Sequence, residues 1–230
     1  MSLAPHRVKP ARSVPASAVA VLLASAMISG TSAAGGAPHQ TCLPARAHTV
    51  VEDRQVRVFA LEAPYAVDGH RYTHEVTYAC LLRTNARMKL GNPRRAGSGA
   101  EHLVALDGTM VAYTRSETFV DTGKTEIVSA NVATRRVLLR SPEVAGFTDA
   151  CIISFREVKD LVVTEGGAVA WILRKGHGCK TETFQVYDQA VAGEPTLLDE
   201  GPEIEPESLR VTGRGVGWED AGERRYAALS

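Results

Sequence analysis

The densest grouping of side chains able to do chemistry lies between positions 65 and 74, where Tyr65, Asp68, His70, Tyr72 and His74 fall within ten residues. Imidazoles offer a donor, an acceptor or a metal ligand near neutral pH, and tyrosines offer a flat ring with a hydroxyl at its end. The segment 64–75 reads as an insertion joining two strands, and long loops on a rigid β scaffold tend to carry recognition. Two readings stand at this point: a solvated loop with a tyrosine packed down on the scaffold, and a loop that contacts a ligand or a metal. His70 and His74 are four apart, but in a loop that spacing has no helical face on which to converge.

Elsewhere the chemistry is sparse. The chain has no G-x-S-x-G elbow, no H-E-x-x-H and no D-x-D-x-D-G calcium loop. Gly123-Lys124-Thr125 resembles the end of a phosphate loop, yet Thr118 stands where its first glycine belongs and no helical pattern follows, so the segment reads as a hairpin turn. No catalytic residue, metal site or cofactor is expected from local motifs. A dispersed site assembled in space stays open, because triads are made by folding and not by adjacency.

Composition narrows the class. With 26 Lys+Arg against 26 Asp+Glu over 230 residues, the chain lacks the basic surplus of a nucleic-acid binder. Arg7, Lys9 and Arg12 precede the apolar run 14–28, which is followed by the small residues of 30–37. This order is that of a secretory signal peptide, and the 15-residue run is shorter than a spanning helix requires. The expected organisation is a signal peptide at 1–33, an N-terminal extension at 34–48 and a single β-repeat domain at 49–230. The mature chain would carry a net charge of −3 and would not insert stably in a membrane. An uncleaved N-terminal anchor is the alternative. In an exported chain the even set Cys42, Cys80, Cys151 and Cys179 reads as two disulfides, and no C-x-x-C pair argues for metal instead.

Four segments share one shape, an apolar strand, a turn and a second strand ending in an aromatic. They span 49–59, 103–113, 161–171 and 209–218 and end at Phe59, Tyr113, Trp171 and Trp218. Asp107-Gly108 and Glu165-Gly166-Gly167 supply the residues that tight hairpins need, whereas Asp53-Arg54-Gln55 lacks a glycine. Third strands follow at 76–82, 126–132, 183–187 and 225–229, and short fourth strands at 87–90, 136–139 and 196–198. The starts recur at 54, 58 and 48 residues, a propeller-blade period, and no window outside the signal peptide keeps a helical period. The fold class is therefore all-β, with four propeller-like repeats. One aromatic at the same place in each repeat reads as packing between sheets, not as a sugar-stacking ring.

Val186-Tyr187-Asp188, then Gly193 and Leu197-Leu198, resembles a strand pair of TolB-like bacterial propeller blades. The hairpins, Val169-Ala170-Trp171 most clearly, resemble a set of uncharacterised exported bacterial proteins built from such repeats. The resemblance implies a fold and no activity. The last repeat ends after its third strand, so an open, sandwich-like arc is the alternative to a closed ring.

Repeat symmetry pairs Cys42 with Cys80 and Cys151 with Cys179, each bridge local to one repeat. The functional expectation is a secreted or cell-surface binding module, not an enzyme, whose partner is a protein or glycan of the cell envelope. A secreted hydrolase with a dispersed site on the propeller face is the alternative. N-terminal sequencing of exported protein should give a first residue between Ala34 and Pro38; a chain that starts at Met1 or Ser2 would reject the signal peptide.

Overall fold

The computed structural model describes residues 42–91, 103–118, 122–148, 154–177, 180–213 and 215–229. All belong to one unit, His39–Ser230, and the signal-peptide reading of 1–33 lies outside the described residues, as do Cys151 and Cys179.

Every regular element described is a strand. The first sheet is a four-stranded antiparallel meander of β1 (Ala47–Glu52), β2 (Val56–Val67), β3 (His70–Leu81) and β4 (Ala86–Gly91). A second group follows with β5 (Val104–Asp107), β6 (Met110–Thr118), β7 (Thr122–Asn131) and β8 (Arg136–Arg140), then β9 (Ala145–Thr148). A third group has β10 (Ser154–Val163), β11 (Val169–His177), β12 (Lys180–Gln189) and β13 (Thr196–Gly201). The last sheet has β14 (Arg210–Thr212), β15 (Gly215–Asp220) and β16 (Glu223–Ala228). None of these sheets closes on itself.

The strand pattern read from the sequence is present, with three differences. Gly123-Lys124-Thr125 is not a turn but the start of β7, pairing with 116–118 of β6. The unforeseen β9 pairs with both β7 and β10 and joins the second and third groups into one nine-stranded sheet. Its glycine is required there, since a Cβ on Gly146 would sit 2.4 Å from the Gly123 carbonyl oxygen. The third difference is at 64–75, which is strand on both sides of a turn and is described below.

The turns explain themselves locally. Gly108 and Gly167 hold φ of +60° and +88°, the left-handed region that glycine enters without strain. The first hairpin dispenses with glycine because the Asp53 carboxylate accepts the N–H groups of Gln55 and Val56, both at 2.7 Å.

Packing uses both faces of the central strands. Val111 and Tyr113 of β6 join Val56, Val58 and Ala79 of the first sheet, while Met110 and Ala112 on its opposite face join Val158, Leu161 and Trp171. On β11, Val169, Trp171 and Leu173 face that second cluster, and Ala170 and Ile172 join Val216 and Trp218 of the last sheet. Phe59, Tyr113, Trp171 and Trp218 are all buried, as expected of core aromatics. Phe59 differs in its surroundings: it packs with the Cys42–Cys80 disulfide, Leu43 and Tyr78 instead of a neighbouring sheet.

One half-buried carboxylate ties the last sheet to the third group. Asp160 sits at a register shift in β10, where its Oδ1 accepts the Leu161 N–H at 2.8 Å. Its Oδ2 accepts the N–H of Leu209, just before β14, at 2.9 Å. Desolvation by burial raises its pKa and outweighs the lowering by the Leu209 and Leu161 N–H groups. The folded chain thus holds this proton more tightly than the unfolded chain. That contribution is full below the ordinary aspartate value and is lost as pH rises through the folded-state value. Asp160→Asn keeps one acceptor and removes the titration. Its stability deficit, about 1–3 kcal/mol at acid pH, should narrow as pH rises in urea unfolding from pH 3 to 7. A deficit that widens with pH would refute the raised pKa.

Candidate functional site

The segment expected to be a loop is the outer half of a long hairpin. β2 continues to Val67 and β3 begins at His70, with Asp68-Gly69 as a two-residue turn. Both turn residues have positive φ, +51° and +80°, the conformation for which Asp-Gly is a preferred pair. Pro64 is compatible with a strand here because β1 pairs with β2 only as far as Leu61, and beyond that β2 runs as an edge.

Strand alternation then sets the site. His70, Tyr72 and His74 occupy alternate positions of β3 and share a face, and Tyr65 lies directly across from Tyr72. The Tyr65 and Tyr72 rings are 5.4 Å apart, tilted by 31°. His74 meets Tyr65 edge-on at 5.0 Å, and His70 lies 6.5 Å from Tyr72. Four of the five residues singled out from the sequence are therefore brought together, not by a loop but by cross-strand register. Asp68 stands apart from the rings at the exposed turn. The expectation of a packed-down tyrosine does not hold, because Tyr65 and Tyr72 are 38% and 47% exposed.

The ring face continues inward to residues that the sequence reading assigned elsewhere. Phe59 stacks on Tyr78 at 5.5 Å and 15°, and the Arg87 guanidinium lies 5.7 Å from the Phe59 ring. The hairpin base is pinned from β1 by His48, whose Nε2 lies 3.0 Å from Glu75 Oε1. The signal for this strip was the two-residue spacing of His70, Tyr72 and His74, which is a strand spacing.

Two other polar recesses are occupied by charges that already answer each other. Arg115, Glu117, Lys124, Glu126 and Glu143 line a recess of about 190 Å³. Within it Arg115 reaches Glu117 at 3.2 Å and Glu126 at 3.0 Å, and Arg140 also pairs with Glu126. On the last sheet a recess of about 140 Å³ lies among Ser208, Arg210, Thr212, Glu219, Arg224 and Tyr226. There Glu219 takes both Arg210 at 3.1 Å and Arg224 at 3.9 Å. Among the described residues, no three His, Cys, Asp or Glu side chains are grouped to hold a metal ion. Comparison with known proteins finds no matching family, no similar curated protein and no similar solved structure.

If the outer hairpin is a display and not a support, its aromatics should be dispensable for folding. Combined Tyr65→Ala and Tyr72→Ala substitution should cost less than about 1 kcal/mol, the scale of a cross-strand pair. Phe59→Ala should cost about 3–5 kcal/mol, as for a buried aromatic. Urea unfolding distinguishes the two, and equal losses would assign the tyrosines to the core.

Proposed function

We propose that this chain is an exported, non-catalytic binding module. In this reading four propeller-like repeats, built on the hairpin pattern of the sequence, form a rigid scaffold. The outer half of the β2–β3 hairpin is the element that meets the partner at the cell envelope. The observation that carries the reading is the pair of exposed tyrosines with two histidines on one face of a strand pair whose inner half is core. Aromatic side chains with polar ends are favoured where a surface is both apolar and hydrogen-bonding. Their cross-strand setting limits the freedom lost on binding. The N-terminal signal pattern and the disulfide at Cys42–Cys80 agree with an oxidising destination.

Register allows a clean test. Ala63 and His74 are direct partners, so residues 64–73 can be replaced by Asn-Gly while the inner hairpin keeps its pairing. The intact protein should be retained on isolated envelope fractions in a cosedimentation assay. The shortened protein should lose that retention at an unchanged melting temperature. Retention that survives the deletion would reject the hairpin as the binding element.

A further inference from the structure

Residues 42–46 precede β1 and lie outside its pairing with β2, which starts at Ala47↔Leu61. They turn on a hydrogen bond from the Ala47 N–H to the Pro44 carbonyl, 3.1 Å long. From there they reach back over the first sheet, where Cys42 and Leu43 pack with Phe59, Tyr78 and Cys80. Phe59 and Cys80 are 1% and 0% exposed. We propose that this segment is a strap latched by oxidation. With the Cys42–Cys80 bond formed, it lies over Phe59 and seats the outer half of β1. With both thiols reduced, the strap and that half of β1 lift together while the remaining sheets stay folded.

The two halves of β1 are held by different means. A register shift between Thr49 and Val51 divides them. In the inner half, Val51 packs against Val56, Val58 and Val111, and the Glu52 carboxylate accepts the Arg57 Nε–H at 2.6 Å. Neither anchor involves the disulfide. In the outer half His48 and Thr49 are exposed, and Ala47 joins the cluster of Cys42, Phe59 and Cys80. The apolar hold on the outer half therefore runs through the cluster that the bond closes.

The joint between strap and strand is Arg46, whose φ is +69°. A side chain other than glycine enters that left-handed region at a cost. Lifting the strap lets Arg46 relax, so the closed position carries local strain that the bond holds in place. His48 moves with this half of β1, and its contact with Glu75 at the base of the outer hairpin goes with it.

The chemistry of closure is thiol–disulfide exchange with a disulfide-bearing oxidant. One cysteine thiolate attacks the oxidant's disulfide and forms a mixed disulfide. The second cysteine thiolate then attacks the protein sulfur of that bond, closing Cys42–Cys80. The oxidant leaves as a dithiol, carrying the two electrons and, with them, the two protons of the protein thiols. Once closed, both cysteines are buried, so an external thiol reaches the bond only after the strap has lifted. The latch is thus set on arrival in an oxidising compartment and kept.

Amide hydrogen exchange read by mass spectrometry compares the mature protein with its Cys42→Ala/Cys80→Ala variant. In the variant, amides of 43–49 should exchange about tenfold faster or more, and those of β10, β11 and β12 should stay within about twofold. Leu43→Ala with the bond intact should leave 43–49 close to the parent, because the constraint is covalent. Unchanged exchange at 43–49 would overturn the latch, since packing alone would then hold the strap. Loosening by Leu43→Ala as large as that of the double variant would overturn it for the same reason. A comparable rise in every sheet, or a double variant that does not fold, would overturn it by making the bond a staple of the whole domain.

Discussion

A strand with apolar side chains on both faces needs cover on both faces, and that requirement organises this chain. β6 and β11 are the clearest cases, each sending alternate residues into different clusters. A sheet of this kind cannot stand alone in water, since leaving even one buried Val or Leu uncovered forfeits about 1.5–3 kcal/mol. Each group therefore depends on the next, and the two ends of the series become the places where the chain must find another solution.

The ends are solved differently. Tyr113, Trp171 and Trp218 each pack with residues of the preceding group, whereas Phe59 belongs to the first of the described sheets. In place of a sheet it has the segment around Leu43, held on it by the bond from Cys42 to Cys80 across 38 residues. A closed loop of that length adds about 3–4 kcal/mol in the chain-entropy view, on the order of the burial that a neighbouring sheet would have supplied to one aromatic. At the other end the last sheet needs no cover. Tyr226 lies across Gly217, where a Cβ would come within 2.9 Å of its ring, and Arg210, Glu219 and Arg224 fill the rest of that face with charge. The disulfide thus supplies an apolar lid at one end, and glycine with charge removes the need for one at the other.

This also explains what could be read from the sequence. Hairpins with Asp107-Gly108 or Gly166-Gly167 were legible because φ and composition point the same way, and the core aromatics were legible because each of the four hairpin segments ends in one, nine or ten positions from its start. The pairing of Cys42 with Cys80 was legible because both lie close to the first hairpin in sequence, one before its first strand and one in the strand that follows it. β9 was not legible, because four residues around a glycine carry no alternation, and its existence depends on two partner strands far away in sequence. Gly123-Lys124-Thr125 misled for a related reason: its pairing with both β6 and β9 is set by strands distant in sequence, while composition alone suggests a turn. The outer hairpin looked like a loop since Pro64, Asp68, Gly69 and polar residues dominate it. An exposed edge strand has the same composition, and only the two-residue spacing of its rings sets the two apart.

That last distinction bears directly on function. A loop holding Tyr65, Tyr72, His70 and His74 would have to order four side chains and their backbone at the moment of binding, at about 0.5–1.5 kcal/mol for each immobilised side chain. In a hairpin continuous with core strands the backbone is already paired from Val56↔Leu81 to Val67↔His70, and the rings already touch one another. The inner half of β2 and β3 cannot shift register without turning Val58 and Ala79 out of the core, so the outer half inherits a fixed register without any apolar burial of its own. The same residue pairs that make the first sheet fold therefore determine which side chains the exposed tip can offer. Any ligand of this face meets a surface whose geometry was settled by the packing behind it.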